Sequence, residues 1–309
     1  MLAVVRELEV FAPALTPVVF VGETGTGKTF FARALHELSG RAGDLTEKAG
    51  GEIRPELAES EIFGHVRGAF TGAVRDRAGL FARAGTGTLL FDDFHLLHRA
   101  VQYMLLGPFD TRTYRPVGSD HVVPLGCRLV IGIGEHPDVL VERKRLLPDL
   151  RYRLGHCIIV LPRLEERREE IALLAQRFLG QAAALTGVAD GPGAFAPEAL
   201  GALEAGHYRG NLRDLRDALV PAYLRARRDG AGAVLLQHLP PQLQLALKFE
   251  RGTDRATQRR VVSLWKTGGH LGEAAELIGA HRNTVAALRL ELERRGGRRS
   301  AASNLEQPS

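Results

Sequence analysis

The sequence predicts an α/β domain built on a parallel sheet, joined to a separate basic C-terminal module. Three observations carry that reading. A short apolar run, Val18 to Val21, leads through a glycine-rich segment into apolar residues at helical spacing. A second apolar run, Thr88 to Phe91, ends on two adjacent carboxylates, Asp92 and Asp93. Residues 248–309 hold 12 Lys/Arg against 7 Asp/Glu, whereas the preceding 247 residues balance at 29 of each. The whole net charge of +5 therefore sits at one end, as expected of a nucleic-acid-binding module; a solvated basic tail is the competing reading for the last residues.

The first element is MLAVVRELEVFAPALTP. It carries acids inside its apolar part and no small-residue cleavage site, so it reads as an amphipathic helix rather than a signal peptide. No apolar run approaches the roughly 18 residues that span a bilayer, and no membrane association is expected. Cys127 and Cys157 lie in apolar runs and read as buried thiols in a reducing cytoplasmic setting.

Next comes Gly22-Glu23-Thr24-Gly25-Thr26-Gly27-Lys28-Thr29, which fits G-x-x-x-x-G-K-[ST]. It follows a buried-type strand and precedes Phe30, Phe31, Ala34, Leu35 and Leu38 at helical spacing, the context this motif requires. Glycines let backbone N–H groups close around phosphate oxygens, and the helix N-terminus adds positive potential. Lys28 is placed to reach the β- and γ-phosphates of a nucleotide, and Thr29 to offer its hydroxyl to Mg²⁺. Between this motif and the acids lies HVRGAFTGAVR, residues 65–75, where small residues surround one Phe-Thr pair and no stable strand or long helix is expected. Asp92 and Asp93 stand at the carboxyl end of their strand, where open α/β sheets bind ligands. Asp92 would hold Mg²⁺, and Asp93 would orient or deprotonate an attacking water. Asp93 as the cap of a helix starting near His95 is the alternative.

The segments GETGTGKT, ESEIFGHVRGAFTGA (59–73), GTGTLLFDDF, LPDLRYRLGHCIIVLPRLEERREEI (147–171) and GNLRDLRDAL (210–219) occur in this order across most of residues 1–245. Together they resemble the AAA+ ATPases that activate sigma-54 RNA polymerase, the bacterial enhancer-binding proteins. The resemblance implies a three-layer AAA+ P-loop core over residues 1–165 and a helical lid over 166–245, with Pro-rich HLPPQLQ (238–244) as a linker. It implies ATP and Mg²⁺ as cofactors. It makes Gly68, Ala69, Phe70, Thr71, Gly72 and Ala73 the loop that touches sigma-54, with Phe70 and Thr71 in contact. It also implies a ring, expected to be a hexameric homo-oligomer or a mixed ring, in which Arg153 acts on the neighbour's nucleotide while Arg213 reaches back from the lid.

Residues 250–296 resemble the Fis-like helix-turn-helix of these activators. HLGEAAELIG gives the first helix, Gly279 the turn, and HRNTVAALRLELERRG the recognition helix. The resemblance places His281, Arg282, Asn283 and Thr284 at base edges of double-stranded DNA and Arg289 on phosphates. A helical hairpin for dimerisation is the competing reading. Residues 297–309 read as a disordered basic tail.

Departures from the family cluster on hydrolysis. Asp93 stands where the family has Glu. Gly134 aligns with the sensor asparagine that follows a strand, and Leu147 with the first of two arginines. Arg151 or Arg145 is a candidate substitute for that arginine. The family's second strand ends Asn-Cys, but DLTEKAGGEIR shows no strand pattern. The residues that wrap adenine in the family would precede Met1, so either an earlier start or an open adenine pocket is expected. With no regulatory domain upstream in the sequence, control is expected from a partner, from expression level or from mixed assembly. The favoured function is a sigma-54-dependent activator coupling ATP to remodelling of the closed promoter complex. The alternative is a hydrolysis-impaired DNA-binding regulator acting as a passive or inhibitory subunit in mixed rings. A chaperone-like remodeller would require both GAFTGA and the helix-turn-helix to be coincidental.

Overall fold

The computed structural model describes residues 1–187, 190–244 and Leu247. The helix-turn-helix expected over 250–296, with His281, Arg282, Asn283, Thr284 and Arg289, lies outside the described residues, as does the tail over 297–309. The chain divides into two compact units: Met1–Arg167 with Gly210–Leu212, and Arg168–Arg209 with the described residues of Arg213–Ser309.

The first unit contains α1 (Leu2–Phe11), β1 (Val18–Val21), α2 (Lys28–Leu38), β2 (Leu45–Ala49), α3 (Ala58–Phe63), β3 (Gly64–His65), β4 (Arg77–Ala78), α4 (Leu80–Ala84), β5 (Thr88–Asp92), α5 (Arg99–Thr111), β6 (Thr113–Tyr114), β7 (Val123–Pro124), β8 (Arg128–Ile133), α6 (Pro137–Glu142), α7 (Pro148–Arg153) and β9 (Ile158–Val160). Five strands form one sheet in the order β2-β5-β8-β1-β9, and every pairing in it is parallel. Strand residues alternate between two cores, as a period of two demands. Val19, Val21, Leu89, Phe91, Leu129 and Ile131 face a core shared with Ile62, Leu105 and Leu150; Val18, Phe20, Leu90 and Val130 face one shared with Leu8, Phe31 and Leu35. A sheet apolar on both faces must be covered on both, which gives three layers and explains the unbroken apolar runs.

The N-terminal segment is helical as expected, with Val4 and Leu8 buried. Its C-terminal end is fixed to the sheet by Arg128, a wholly buried side chain whose Nη1 donates to Ala12 O at 3.0 Å. Burial pulls the Arg128 guanidinium down to about 10, and the helix C-terminus supplies compensating negative potential. On α2, Phe31 and Leu35 are buried, whereas Phe30 and Leu38 are exposed; the inward face is narrower than the spacing implied.

The segment DLTEKAGGEIR departs from expectation. Leu45–Ala49 is a strand, β2, in parallel register with β5 from Leu45↔Thr88 to Ala49↔Asp92. It lies at the sheet edge, with no residue fully buried, so its sequence carries charges where a central strand would carry valines. Glu47 pairs with Arg33 at 2.8 Å and Lys48 with Glu61 at 2.8 Å, so those charges are satisfied on the surface.

The second unit is mainly helical. Its α8 (Ile171–Thr186), α9 (Pro197–Ala205) and most of α10 (Leu212–Arg228) bury apolar residues three or four apart, such as Ile171, Ala175 and Leu179 on α8 and Leu215, Leu219 and Ala222 on α10. A short parallel pair joins β10 (Ala194–Phe195) to β11 (Ala233–Val234). Among the described residues, no helix is long and apolar enough to cross a membrane.

Candidate nucleotide site and interaction loop

The phosphate-type loop leaves β1 at its carboxyl end and becomes α2. Its glycines are required by geometry. A Cβ at Gly22 would lie 2.6 Å from Thr26 Oγ1, and Gly27 holds φ at +109°, a conformation side chains rarely adopt. Lys28 is buried, with Nζ donating to Gly22 O at 3.0 Å and Glu23 O at 3.4 Å. Glu23 itself pairs with Arg163 at 2.7 Å.

Three successive loop carbonyls are held from behind. Thr24 O accepts from Asn211 Nδ2 at 3.0 Å, Gly25 O from Leu212 N at 3.0 Å, and Thr26 O from Arg167 Nη2 at 2.9 Å. Thr26 N closes the turn on Glu23 O at 3.3 Å, and the loop's other N–H groups at the start of α2 are those a phosphate would meet. Asn211 is buried at φ +53°, a region asparagine tolerates better than most residues, and its Oδ1 accepts from Leu164 N at 2.8 Å. Replacing Asn211 by Ala strands the buried Leu164 N–H and the partly buried Thr24 carbonyl, and puts a residue without a polar side chain at positive φ. The expected loss is about 3 kcal/mol of stability, read by denaturant unfolding, together with weaker ATP binding. A loss under about 1 kcal/mol would show that the clamp contributes little.

The acids stand across the sheet from the loop. Thr29 Oγ1 donates to Asp92 Oδ2 at 3.3 Å, so the two groups expected to hold Mg²⁺ already meet. Asp92 Oδ1 accepts from Asp93 N at 2.9 Å and packs on Gly132, where a Cβ would come within 2.4 Å of it. Among the described residues no three His, Cys, Asp or Glu side chains form a metal cluster. Mg²⁺ commonly takes only one or two protein ligands beside phosphates and water, so the Thr29–Asp92 pair fits it. Asp93 sits at φ 47°, ψ 42°, a strained conformation of a kind that collects at functional sites, and makes no side-chain cap bond. It does stand at the N-cap position of a short 3-10 helix, Phe94–Leu96; the α-helix that follows begins at Arg99, and His98 caps it by accepting from Ala100 N.

The other sequence-derived positions are more dispersed. Ala49 is the last residue of β2 and pairs with Asp92, so the strand ends Ala49-Gly50 where the family's ends Asn-Cys. A Cβ at Gly50 would lie 2.7 Å from Asp93 O, which explains the glycine. Leu147 is a buried core residue whose N–H donates to Gln102 Oε1 at 2.9 Å. Arg151 is committed to Asp138 at 2.6 Å, and its guanidinium holds that exposed carboxyl below the usual range. Arg153 lies 3.7 Å from Asp110 and donates to Asp149 O at 3.1 Å. Arg213 is exposed on the first turn of α10. Sequence reading assigned no role to His95, Arg163 or Arg167, nor to Asn211 within the GNLRDLRDAL segment.

The GAFTGA segment forms the turn between the paired strands β3 and β4. It is closed by Gly68 N to Ala73 O at 2.8 Å and Ala73 N to Phe70 O at 2.9 Å, with φ +82° at Gly68 and +101° at Gly72. Phe70 is 46% exposed and packs edge-on against His65, whose Nδ1 bonds Ser60 Oγ at 2.7 Å. Gly68, Thr71 and Gly72 are exposed, Ala69 is half-buried and Ala73 is buried. The tip therefore offers Phe70 and Thr71 outward while Ala73 closes the base.

Residues 1–160 match the family described as the Sigma-54 interaction domain, more than half of the 309-residue chain. The chain belongs to this family. Residues 165–255 match the AAA+ ATPase lid domain, in keeping with the helical second unit. Relatives include the transcriptional regulatory protein ZraR of Salmonella typhimurium, 32% identical over 91% of this chain and 65% of the relative. The hydrogenase transcriptional regulatory protein HoxA of Cupriavidus necator is 38% identical over 67% of this chain and 42% of the relative. The chain thus spans just under two thirds of ZraR's length. Among solved structures, NtrX from Brucella abortus in complex with ATP superposes with a TM-score of 0.69 at 26% identity, covering 94% of this chain and 67% of that one. Membership in the sigma-54 interaction family carries the AAA+ fold read from the sequence: a parallel α/β core followed by a helical lid.

Proposed function

We propose that the chain is a sigma-54-dependent transcription activator that couples ATP hydrolysis to remodelling of the polymerase closed complex. The observation that carries this is the conjunction, in one compact unit, of a clamped phosphate loop facing Thr29–Asp92 and an exposed Phe70–Thr71 tip. ATP as the nucleotide is supported by the complex that the Brucella relative forms. Lys28 and the loop N–H groups would bind the phosphates, and Thr29 and Asp92 would hold Mg²⁺, which neutralises charge on the transferred group. Asp93 would align the attacking water, Arg153 of a neighbouring copy would face the γ-phosphate, and Arg213 would contact the nucleotide from the lid. Binding upstream double-stranded DNA through residues 250–296, and assembly into a hexameric or mixed ring, complete the reading.

A second reading, a regulator that binds ATP and hydrolyses it poorly, is favoured by Leu147 lying in the core and by Ala49 at the end of β2. Phosphate release by the purified chain across a concentration series separates the two. Activators yield turnover that rises cooperatively as rings assemble. ATP binding with no turnover above background at any concentration would select the passive subunit instead.

A further inference from the structure

One loss at this site occurs together with one gain. Gly134, where the resemblance places a sensor asparagine, follows β8, the strand between the phosphate-loop strand β1 and the acid-bearing strand β5. A side chain at this position would therefore rise between the phosphate loop and Asp92–Asp93, and Gly134 has none to offer. The space is not unused. A Cβ on Gly134 would meet the His95 imidazole, with Cε1 at 3.6 Å and Nε2 at 3.8 Å. The ring arrives from the turn that follows Asp93 and lies over the bare backbone of Gly134.

The imidazole's chemistry suits the place. Its Nδ1 is buried without a hydrogen-bond partner among the described residues, an unfavourable arrangement unless the nitrogen has a task. Burial lowers its pKa, aided by the charges of Arg145 and Lys28 and opposed by Asp93 and Glu135. A neutral ring keeps one donor and one acceptor, the same pair of capacities that an asparagine amide presents. Lys28 and Asp93, the two groups the site would aim at the terminal phosphate and its water, are both close enough for their charges to act on the ring.

We propose that His95 is this chain's γ-phosphate sensor, a positioning residue that takes over from the side chain missing at Gly134 and distinguishes ATP from ADP. The proposal rests on the nucleotide-site reading above. It explains why a histidine stands directly after Asp92-Asp93-Phe94, with its ring in contact distance of the place where a side chain at 134 would begin.

The test measures dissociation constants for ATP and ADP, each with Mg²⁺, by competition against a fluorescent nucleotide on the full chain. His95→Phe keeps a ring over Gly134 and removes both nitrogens. The double variant His95→Gly/Gly134→Asn restores the side chain on the other strand. The parent is expected to prefer ATP, His95→Phe to lose about fivefold of that preference, and the double variant to regain it to within about twofold. A packing role alone would leave the preference intact in His95→Phe. That result, an absence of preference in the parent, or a double variant as indifferent as His95→Phe would each overturn the proposal. Lys28→Ala is the separate control: if it binds ATP as tightly as the parent does, the nucleotide-site reading itself falls and takes the sensor with it.

Discussion

Lys28→Ala is expected to abolish ATP binding while leaving the fold intact. Lys28 is 6% exposed, yet its ammonium meets no carboxylate among the described residues; it is held on two backbone carbonyls, those of Gly22 and Glu23. An ammonium so placed is a poorly compensated buried charge, and a phosphate arriving in front of the loop supplies the missing counter-charge. Truncating one partner of a buried hydrogen-bonded charge pair costs about 2–5 kcal/mol, which puts the affinity loss between about 30-fold and a few thousandfold. The fold should tolerate the change, because the loop keeps its remaining supports: Asn211, Leu212 and Arg167 behind it and Arg163 on Glu23. Calorimetric titration with ATP, alongside thermal unfolding without nucleotide, separates the two effects. Unchanged melting with no measurable heat of binding is the predicted outcome. Binding within about threefold of the parent would place the phosphates elsewhere.

How legible this site was depended on whether its determinants are local. Strand β1, the glycine-rich loop and α2 follow one another within 21 residues and announce themselves by spacing alone. The acids at the end of β5 are equally local. The carbonyl clamp is not: Asn211 reaches Thr24 across 187 residues of chain, and no periodicity in either segment implies the contact. Strand β2 was missed for a different reason. An edge strand has one strand neighbour and partial exposure, so charge on Glu47 and Lys48 is permitted and the apolar signature fades. Gly134 was visible as a loss, but a loss read in one dimension says nothing about what fills the volume. The His95 ring over it emerges only when β5 and β8 are set side by side.

The loop tip gives the other large effect. Thr71→Ala should end promoter activation while leaving ATP turnover within about twofold of the parent and stability within about 0.5 kcal/mol. The structural ground is independence. Thr71 is exposed, and its hydroxyl has no hydrogen-bond partner among the described residues, so nothing in the fold relies on it. It sits on the turn between β3 and β4, outside the five-stranded sheet whose carboxyl edge carries the phosphate loop and the acids. Phe70 is a less clean probe. Its ring rests on His65 at a centroid distance of 4.9 Å, and His65 is tied to Ser60, so Phe70→Ala also loosens the base of the loop. The glycines at 68 and 72, both at positive φ with open space around them, let the tip change shape without repacking a core. A tip whose glycines permit a change of shape, and whose exposed Thr71 hydroxyl the fold does not use, suits a contact made with another molecule. Parallel assays of ATP turnover and of open-complex formation by sigma-54 polymerase decide it. If Thr71→Ala lowers both in proportion, the loop belongs to the hydrolytic machinery and not to the coupling of that machinery to a partner.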